Sequence, residues 1–237
     1  VNADDPRVAS LSQNASARRI SFGIDRGEVR ARDIEPLGLE GQQFLLVTPH
    51  GEAAVHLKAC GRHNIYNALA ATAALLEKVD LQTIVAGLEA FTPYSGRFRI
   101  EQLGGITLID DSYNANPAST KAALETLNQI AAPGHRIAVL GDMLELGEHE
   151  AEAHRSIGVV AGRNVDLLYL TGERMVKYAA EGAMLADMPA ASVLCCSSHR
   201  EIAERLHGSM KEGDVILIKG SRGMTMEKVA TELKDLM

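Results

Sequence analysis

From Arg19 to Leu57 the apolar residues fall in short runs: Ile20-Ser21-Phe22-Gly23, Val29-Arg30-Ala31, Phe44-Leu45-Leu46-Val47 and Ala54-Val55-His56-Leu57, divided by glycine and proline turns. Short runs bounded by turn residues predict strands, and their close spacing predicts a small, mostly antiparallel sheet. At Asn64 the period changes. Ile65, Ala68, Leu69, Thr72, Leu75, Leu76 and Val79 recur at helical spacing and predict a helix of about four turns with these residues on its buried face. Leu81 to Phe91 predicts a second, shorter helix, and Thr92-Pro93-Tyr94-Ser95-Gly96 then breaks the pattern as the expected linker. Beyond it, strand-like runs at 107–111, 137–141, 167–171, 192–196 and 215–219 alternate with helix-like runs at 118–130, 151–161, 174–186, 200–206 and 224–236. Apolar strands separated by helices imply right-handed crossovers and a doubly wound, mainly parallel α/β sheet covered on both faces.

The length of 237 residues suits two domains, each with its own core. No stretch approaches the ~18 consecutive apolar residues of a bilayer span, so no membrane insertion is expected. The net charge of −7 argues against a nucleic-acid partner, because such proteins need a basic surface to displace counterions. Any anionic ligand must be caught locally. Cys60, Cys195 and Cys196 are odd in number, and two are adjacent, which is a poor disulfide framework and points to the reducing cytoplasm. The chain opens Val1-Asn2-Ala3-Asp4-Asp5, without a methionine, a basic start or the apolar run of a signal peptide. The expectation is a cut end with sequence missing upstream.

In a doubly wound sheet, ligands sit beyond the carboxyl ends of the strands, which directs attention to Asp110, Asp111, Gly141, Asp142, Gly220 and Ser221. Asp110-Asp111-Ser112-Tyr113-Asn114-Ala115-Asn116-Pro117 follows one strand. Asn116 and Pro117 fit the cap and first position of a helix, whereas the paired aspartates suit ribose hydroxyls or a water-bridged Mg²⁺. Gly141 to Glu148 follows another strand; His149 and His154, five apart, would not share a helical face and are expected to be solvated rather than metal ligands. Lys219-Gly220-Ser221-Arg222-Gly223 could bind a carboxylate or phosphate at the last helix. In the first half, Gly61-Arg62-His63-Asn64-Ile65-Tyr66-Asn67 opens the long helix. Asn64 reads as its N-cap with Asn67 one turn on, or the two carboxamides and the helix terminus face a nucleotide. Arg97, at the linker, is either a solvated charge or a fork for a phosphate.

Taken together and in order, Asn2-Ala3-Asp4-Asp5, Gly61-Arg62-His63-Asn64 with Asn67-Ala68-Leu69-Ala70-Ala71, Gly96-Arg97, Asp110 to Pro117, Leu140 to Gly147 and Lys219 to Gly223 resemble the Mur ligases. The two long middle motifs resemble the branch that adds D-alanyl-D-alanine. The resemblance implies residues 1–94 as the second half of a central P-loop-type ATPase domain, with its small antiparallel sheet, and 95–237 as a carboxy-terminal Rossmann-like ligase domain. It implies an enzyme using ATP and Mg²⁺ to phosphorylate the carboxylate of a UDP-N-acetylmuramoyl-tripeptide, with D-alanyl-D-alanine attacking the acyl phosphate. The full-length enzyme would be a cytoplasmic monomer in peptidoglycan precursor synthesis. Carried over, Asn64, Asn67, Arg97 and Asp111 are ATP-binding, with His63 and Asp110 as further candidates near ATP or Mg²⁺. Asn114, Asn116, Ser221 and Arg222 are candidates for the side where the dipeptide enters, and no complete catalytic set lies in the chain. The departure is the lack of any Gly-x-x-x-x-Gly-Lys-Ser/Thr loop, so the chain alone is expected to be inactive. The rival readings are another Mur or folylpolyglutamate-type amide ligase, and a non-catalytic nucleotide-binding module. The latter lacks the Gly-x-Gly-x-x-Gly it would want.

Overall fold

The computed structural model describes all 237 residues and divides into two compact units, Val1–Thr92 and Pro93–Met237. In the first, a short helix α1 (Pro6–Ser12) precedes a four-stranded sheet of β1 (Phe22–Gly23), β2 (Val29–Pro36), β3 (Gln42–Thr48) and β4 (Gly51–Leu57) in sequential order. The short β1 pairs parallel with β2, and the other pairs are antiparallel. Two helices follow, α2 (Arg62–Leu75) and α3 (Leu81–Ala90). Ile65, Leu69 and Leu76 close a core with Val29, Phe44, Leu46, Val55 and Leu57, which alternate along their strands as a sheet with one buried face requires. Leu75, expected on that buried face, is instead 44% exposed. It lies with Ala68 and Ala71 on a second apolar stripe of α2 that lines a cavity against α3. Asn64 is not the N-cap: Gly61 takes that position with φ 89°, and the Asn64 carboxamide donates to the Cys60 carbonyl at 2.8 Å.

The second unit carries a six-stranded sheet in the order β5-β6-β10-β7-β8-β9. These are β5 (Arg99–Leu103), β6 (Ile106–Asp111), β7 (Arg136–Gly141), β8 (Leu167–Thr171), β9 (Val193–Cys196) and β10 (Val215–Lys219). All neighbours are parallel except β5 with β6, an edge strand that its polar sequence, Arg-Ile-Glu-Gln-Leu, had not announced. The helices are α4 (Pro117–Gln129), α5 (Glu150–Asn164), α6 (Ala180–Leu185), α7 (His199–Ser209) and α8 (Glu227–Leu236). Alternate strand residues Leu108, Val139, Ile216 and Ile218 pack with Ile202 and Leu206 of α7 and Val229 and Leu233 of α8. Alternation sends Ile109, Ala138, Leu140 and Leu217 to the opposite face, where α4 and α5 pack side by side. The helix expected at 174–186 is wound as a π-turn over Met175–Ala179 before α6 begins.

Candidate functional site

The chain leaves β6 and β7 for α4 and α5 on one face, but leaves β10, which lies between them, for α8 on the other. Diverging exits at such a switch point open a crevice beyond the carboxyl ends of the strands. The segments 110–117, 141–147 and 219–225 meet there. Ser221 ties them: its hydroxyl donates to the Ala115 carbonyl at 3.2 Å and accepts from the Leu144 amide at 2.8 Å, while its own amide donates to the Asp142 carbonyl at 3.0 Å. At 4% exposure, Ser221 forms the floor of the crevice.

The two aspartates are held differently. Asp110 is buried, and its Oδ2 accepts from the Gly96 amide at 2.9 Å and the Ser95 hydroxyl at 3.3 Å. Its Oδ1 accepts from the Ser112 amide and hydroxyl. A carboxylate offers about four lone-pair sites, so Asp110 is saturated by protein donors. Asp111 receives the Phe98 amide at 3.0 Å on Oδ1 and the Lys219 ammonium at 2.6 Å on Oδ2, and so keeps acceptor capacity. Burial pushes its carboxyl up, against the pull of Lys219 and the Phe98 amide. Lys219 is itself only 3% exposed and donates also to the Asn114 carbonyl at 2.9 Å. Sequence reading had named Lys219 only as the head of the Lys219–Gly223 motif and had not paired it with Asp111, although the signal was present: an apolar run closed by Lys and another closed by Asp, which parallel register places side by side.

The remaining expected residues sit around this floor. Asn116 caps α4, accepting from the Ser119 amide at 2.8 Å in a full capping box, with Pro117 at the first helical position. Asn114, Asn116 and Arg222 are exposed, and Arg222 reaches Glu227 at 2.9 Å. Arg97 lies over the Tyr113 ring, 4.3 Å from its centroid. His149 is exposed, but His154 corrects the expectation of a solvated residue: it is fully buried. Its Nε2 accepts from the Met143 amide at 3.0 Å and its Nδ1 faces the Glu150 carbonyl at 2.7 Å. Those partners require Nε2 unprotonated and Nδ1–H donating, a neutral ring that shapes the loop. Asp142 reaches across the crevice wall to accept from the Met175 amide at 2.7 Å at the start of the π-turn.

In the first unit, His63 and Asn67 are exposed on the opening turns of α2. Asn67 donates to Asn64 at 3.2 Å, so the two carboxamides share one face. Both border a cavity of about 530 Å³ whose other walls include Ala71, Leu75, Ile84, Leu88 and Phe91. Asp4 anchors the start of the chain, with its carboxylate accepting from the amides of Ile24, Asp25 and Arg26 and from the Tyr66 hydroxyl of α2.

Comparison with known proteins places both halves. Residues 1–75 match the Mur ligase middle domain, and residues 96–222 match the Mur ligase glutamate ligase domain. The chain is 34% identical over 98% of its length to the UDP-N-acetylmuramoyl-tripeptide–D-alanyl-D-alanine ligase of Mycobacterium tuberculosis, covering 50% of that protein. It is 35% identical over 82% of its length to the Escherichia coli ligase of the same name, covering 42%. A crystal structure of MurF from Acinetobacter baumannii superposes with TM-score 0.86 at 33% identity over 99% of this chain and 51% of that one. The chain therefore spans about half the length of the relatives it matches. With one family model matching more than half of its residues and a second matching most of the remainder, the chain belongs to the Mur ligase family.

Proposed function

We propose that this chain supplies part of an ATP-dependent ligase that adds D-alanyl-D-alanine to a UDP-N-acetylmuramoyl-tripeptide through an acyl phosphate, in the cytoplasmic synthesis of peptidoglycan precursors. One observation carries the reading: motifs far apart in sequence, at 110–117, 141–147 and 219–223, converge on one crevice in a chain 34% identical to ligases of that name. Residues 1–94 belong to the ATPase domain and 95–237 to the ligase domain. Asn64 and Asn67, each with donor and acceptor, face the nucleotide base, with His63 beside them. The Arg97 fork takes a phosphate. Of the aspartates, Asp111 is assigned the ribose, because Asp110 has no acceptor site left. Asn114, Asn116 and Arg222 line the amine side, and Ser221 shapes its floor. Mg²⁺ accompanies ATP in the whole enzyme, but the donors here do not fit it: Asp110 is saturated, Asp111 is paired with an ammonium, and no cluster of three His, Cys, Asp or Glu side chains is present. Its ligands are therefore assigned elsewhere in a full-length, monomeric protein. Without a phosphate-cradling loop the 237 residues are expected to bind nucleotide weakly and to complete no turnover.

Calorimetric titration with an ATP analogue and Mg²⁺, repeated with Asn67→Ala and Asp111→Ala, tests the nucleotide half. Weak binding lost in both variants supports it; binding indifferent to both removes it. A 31% identical relative from Geobacillus kaustophilus is named as a 2,6-diaminopimelate ligase, which keeps a different amine as a second reading. A screen of amine substrates with the full-length protein separates the two.

A further inference from the structure

Arg97 is displayed by an unusual piece of backbone. The residues on either side, Gly96 (φ 73°) and Phe98 (φ 54°), are both left-handed and both buried, so the chain turns sharply before and after an exposed arginine. At Gly96 a Cβ would fall 3.0 Å from the Tyr113 amide nitrogen, so only glycine suits. At Phe98 a bulky residue in this region costs on the order of 1 kcal/mol or more and persists only where its surroundings hold it. They do: Gly96 is gripped by Asp110 through its amide and by the Tyr113 amide through its carbonyl at 2.9 Å, and the Phe98 amide is gripped by Asp111. The far oxygen of Asp111 is fixed by Lys219, which also holds the Asn114 carbonyl just past Tyr113, the ring on which the guanidinium rests.

We infer that Lys219 is a positioning residue: through Asp111 it locks residues 96–98 into a preformed arch that presents Arg97 to a ligand phosphate. The aspartate pair is then as much the clasp of this arch as a ligand contact. Without the ammonium, the inner Asp111 oxygen would be a buried unpaired charge, and its carboxylate would be free to turn away from the Phe98 amide. An arginine held in place loses less freedom on meeting a phosphate, so the arch acts on affinity by preorganisation. The ligand half of this inference rests on the phosphate reading of Arg97; the arch itself does not.

Amide hydrogen exchange of the 237-residue chain tests the arch. In Lys219→Met, exchange at Gly96 and Phe98 is expected to quicken about tenfold or more, the factor for losing a charge-assisted hydrogen bond, while Ile109 and Leu217 in the sheet keep their protection. Should Lys219→Met fail to fold, Asp111→Asn applies the same test at the other end of the pair. Unchanged exchange at Phe98 in a folded variant overturns the inference. Titration with an ATP analogue then closes a double-mutant cycle. If Lys219 acts through Arg97, Lys219→Met weakens binding in the parent but not in Arg97→Ala; an equal loss in both overturns the coupling. An Arg97→Ala chain that binds as well as the parent removes the phosphate reading, and leaves the arch to be judged by exchange.

Discussion

Asp4 shows how much one side chain decides in the first unit. Burial alone would raise its carboxyl, but the amides of Asp25, Ile24 and Arg26 and the Tyr66 hydroxyl together bring it below the ordinary aspartate value. A depressed carboxyl stabilises the fold above its unfolded pKa, and that contribution is lost as pH falls through the lowered folded value. Acid titration of stability should therefore show a loss below about pH 4 that Asp4→Asn makes shallower, because the amide cannot ionise while the depressed carboxyls of Glu28, Asp80 and Glu201 still titrate; equal acid slopes in the two proteins would rule out this role. The thiols differ as sharply. Cys60 donates to the Gly38 carbonyl at 3.2 Å, and burial pushes it up to about 11, whereas Cys195 is exposed. With a thiolate fraction of roughly one in a thousand at pH 8 and no access, Cys60 should stay silent to a disulfide reagent in the native chain while Cys195 reacts. Fast modification of Cys60, located by peptide mapping, would contradict that.

At the scale of elements, packing overrides propensity in a checkable way. Gly158 lies inside α5, where alanine is the better helix former by about 1 kcal/mol. A Cβ there would meet the Ala179 carbonyl oxygen at 2.0 Å, and overpacking costs about 1–3 kcal/mol. Gly158→Ala should thus lower the denaturation midpoint, while Gly87→Ala in α3, whose Cβ meets nothing within 4 Å, should raise it. Matching shifts in the two variants would refute the contact. The Asn116 cap, legible beforehand from Asn-Pro opening a helical run, should be worth about 1 kcal/mol in Asn116→Ala, read as a midpoint shift at constant denaturant slope. Elements with strong local grammar were foreseen; β5 and α1, lacking an apolar period, were not. The π-turn at Met175–Ala179 was hidden because its register depends on Asp142, more than thirty residues earlier.

For the molecule as a whole, what is left uncovered matters most. The cavity between α2 and α3 is walled largely by apolar groups, with Leu75 44% and Phe91 40% exposed. Apolar faces of this kind mark association surfaces or aggregation liabilities. The chain is expected to bind a hydrophobic dye and to grow in mean mass with concentration in light scattering, both reduced in Leu75→Gln/Phe91→Ser. A monodisperse monomer that ignores the dye would defeat this expectation.

The sequence by itself determined most of the elements and their order, all but α1, β5 and the π-turn, because hydrophobic period, caps and turn residues act within a few residues of one another. It also located the crevice, since strand exits in a doubly wound sheet are where ligands collect. Only tertiary structure decided which of those residues are spent. The Lys219–Asp111 pair joins positions 108 apart, Asp110 is saturated only when the Ser95–Gly96 turn before β5 is added to its neighbour Ser112, and His154 is buried against a loop that its own helix does not contain. Leu75 and Leu76 are neighbours and equally apolar, yet Leu76 is core and Leu75 lines a cavity. Saturation and burial are sums over neighbours brought together by the fold, and no local pattern carries them.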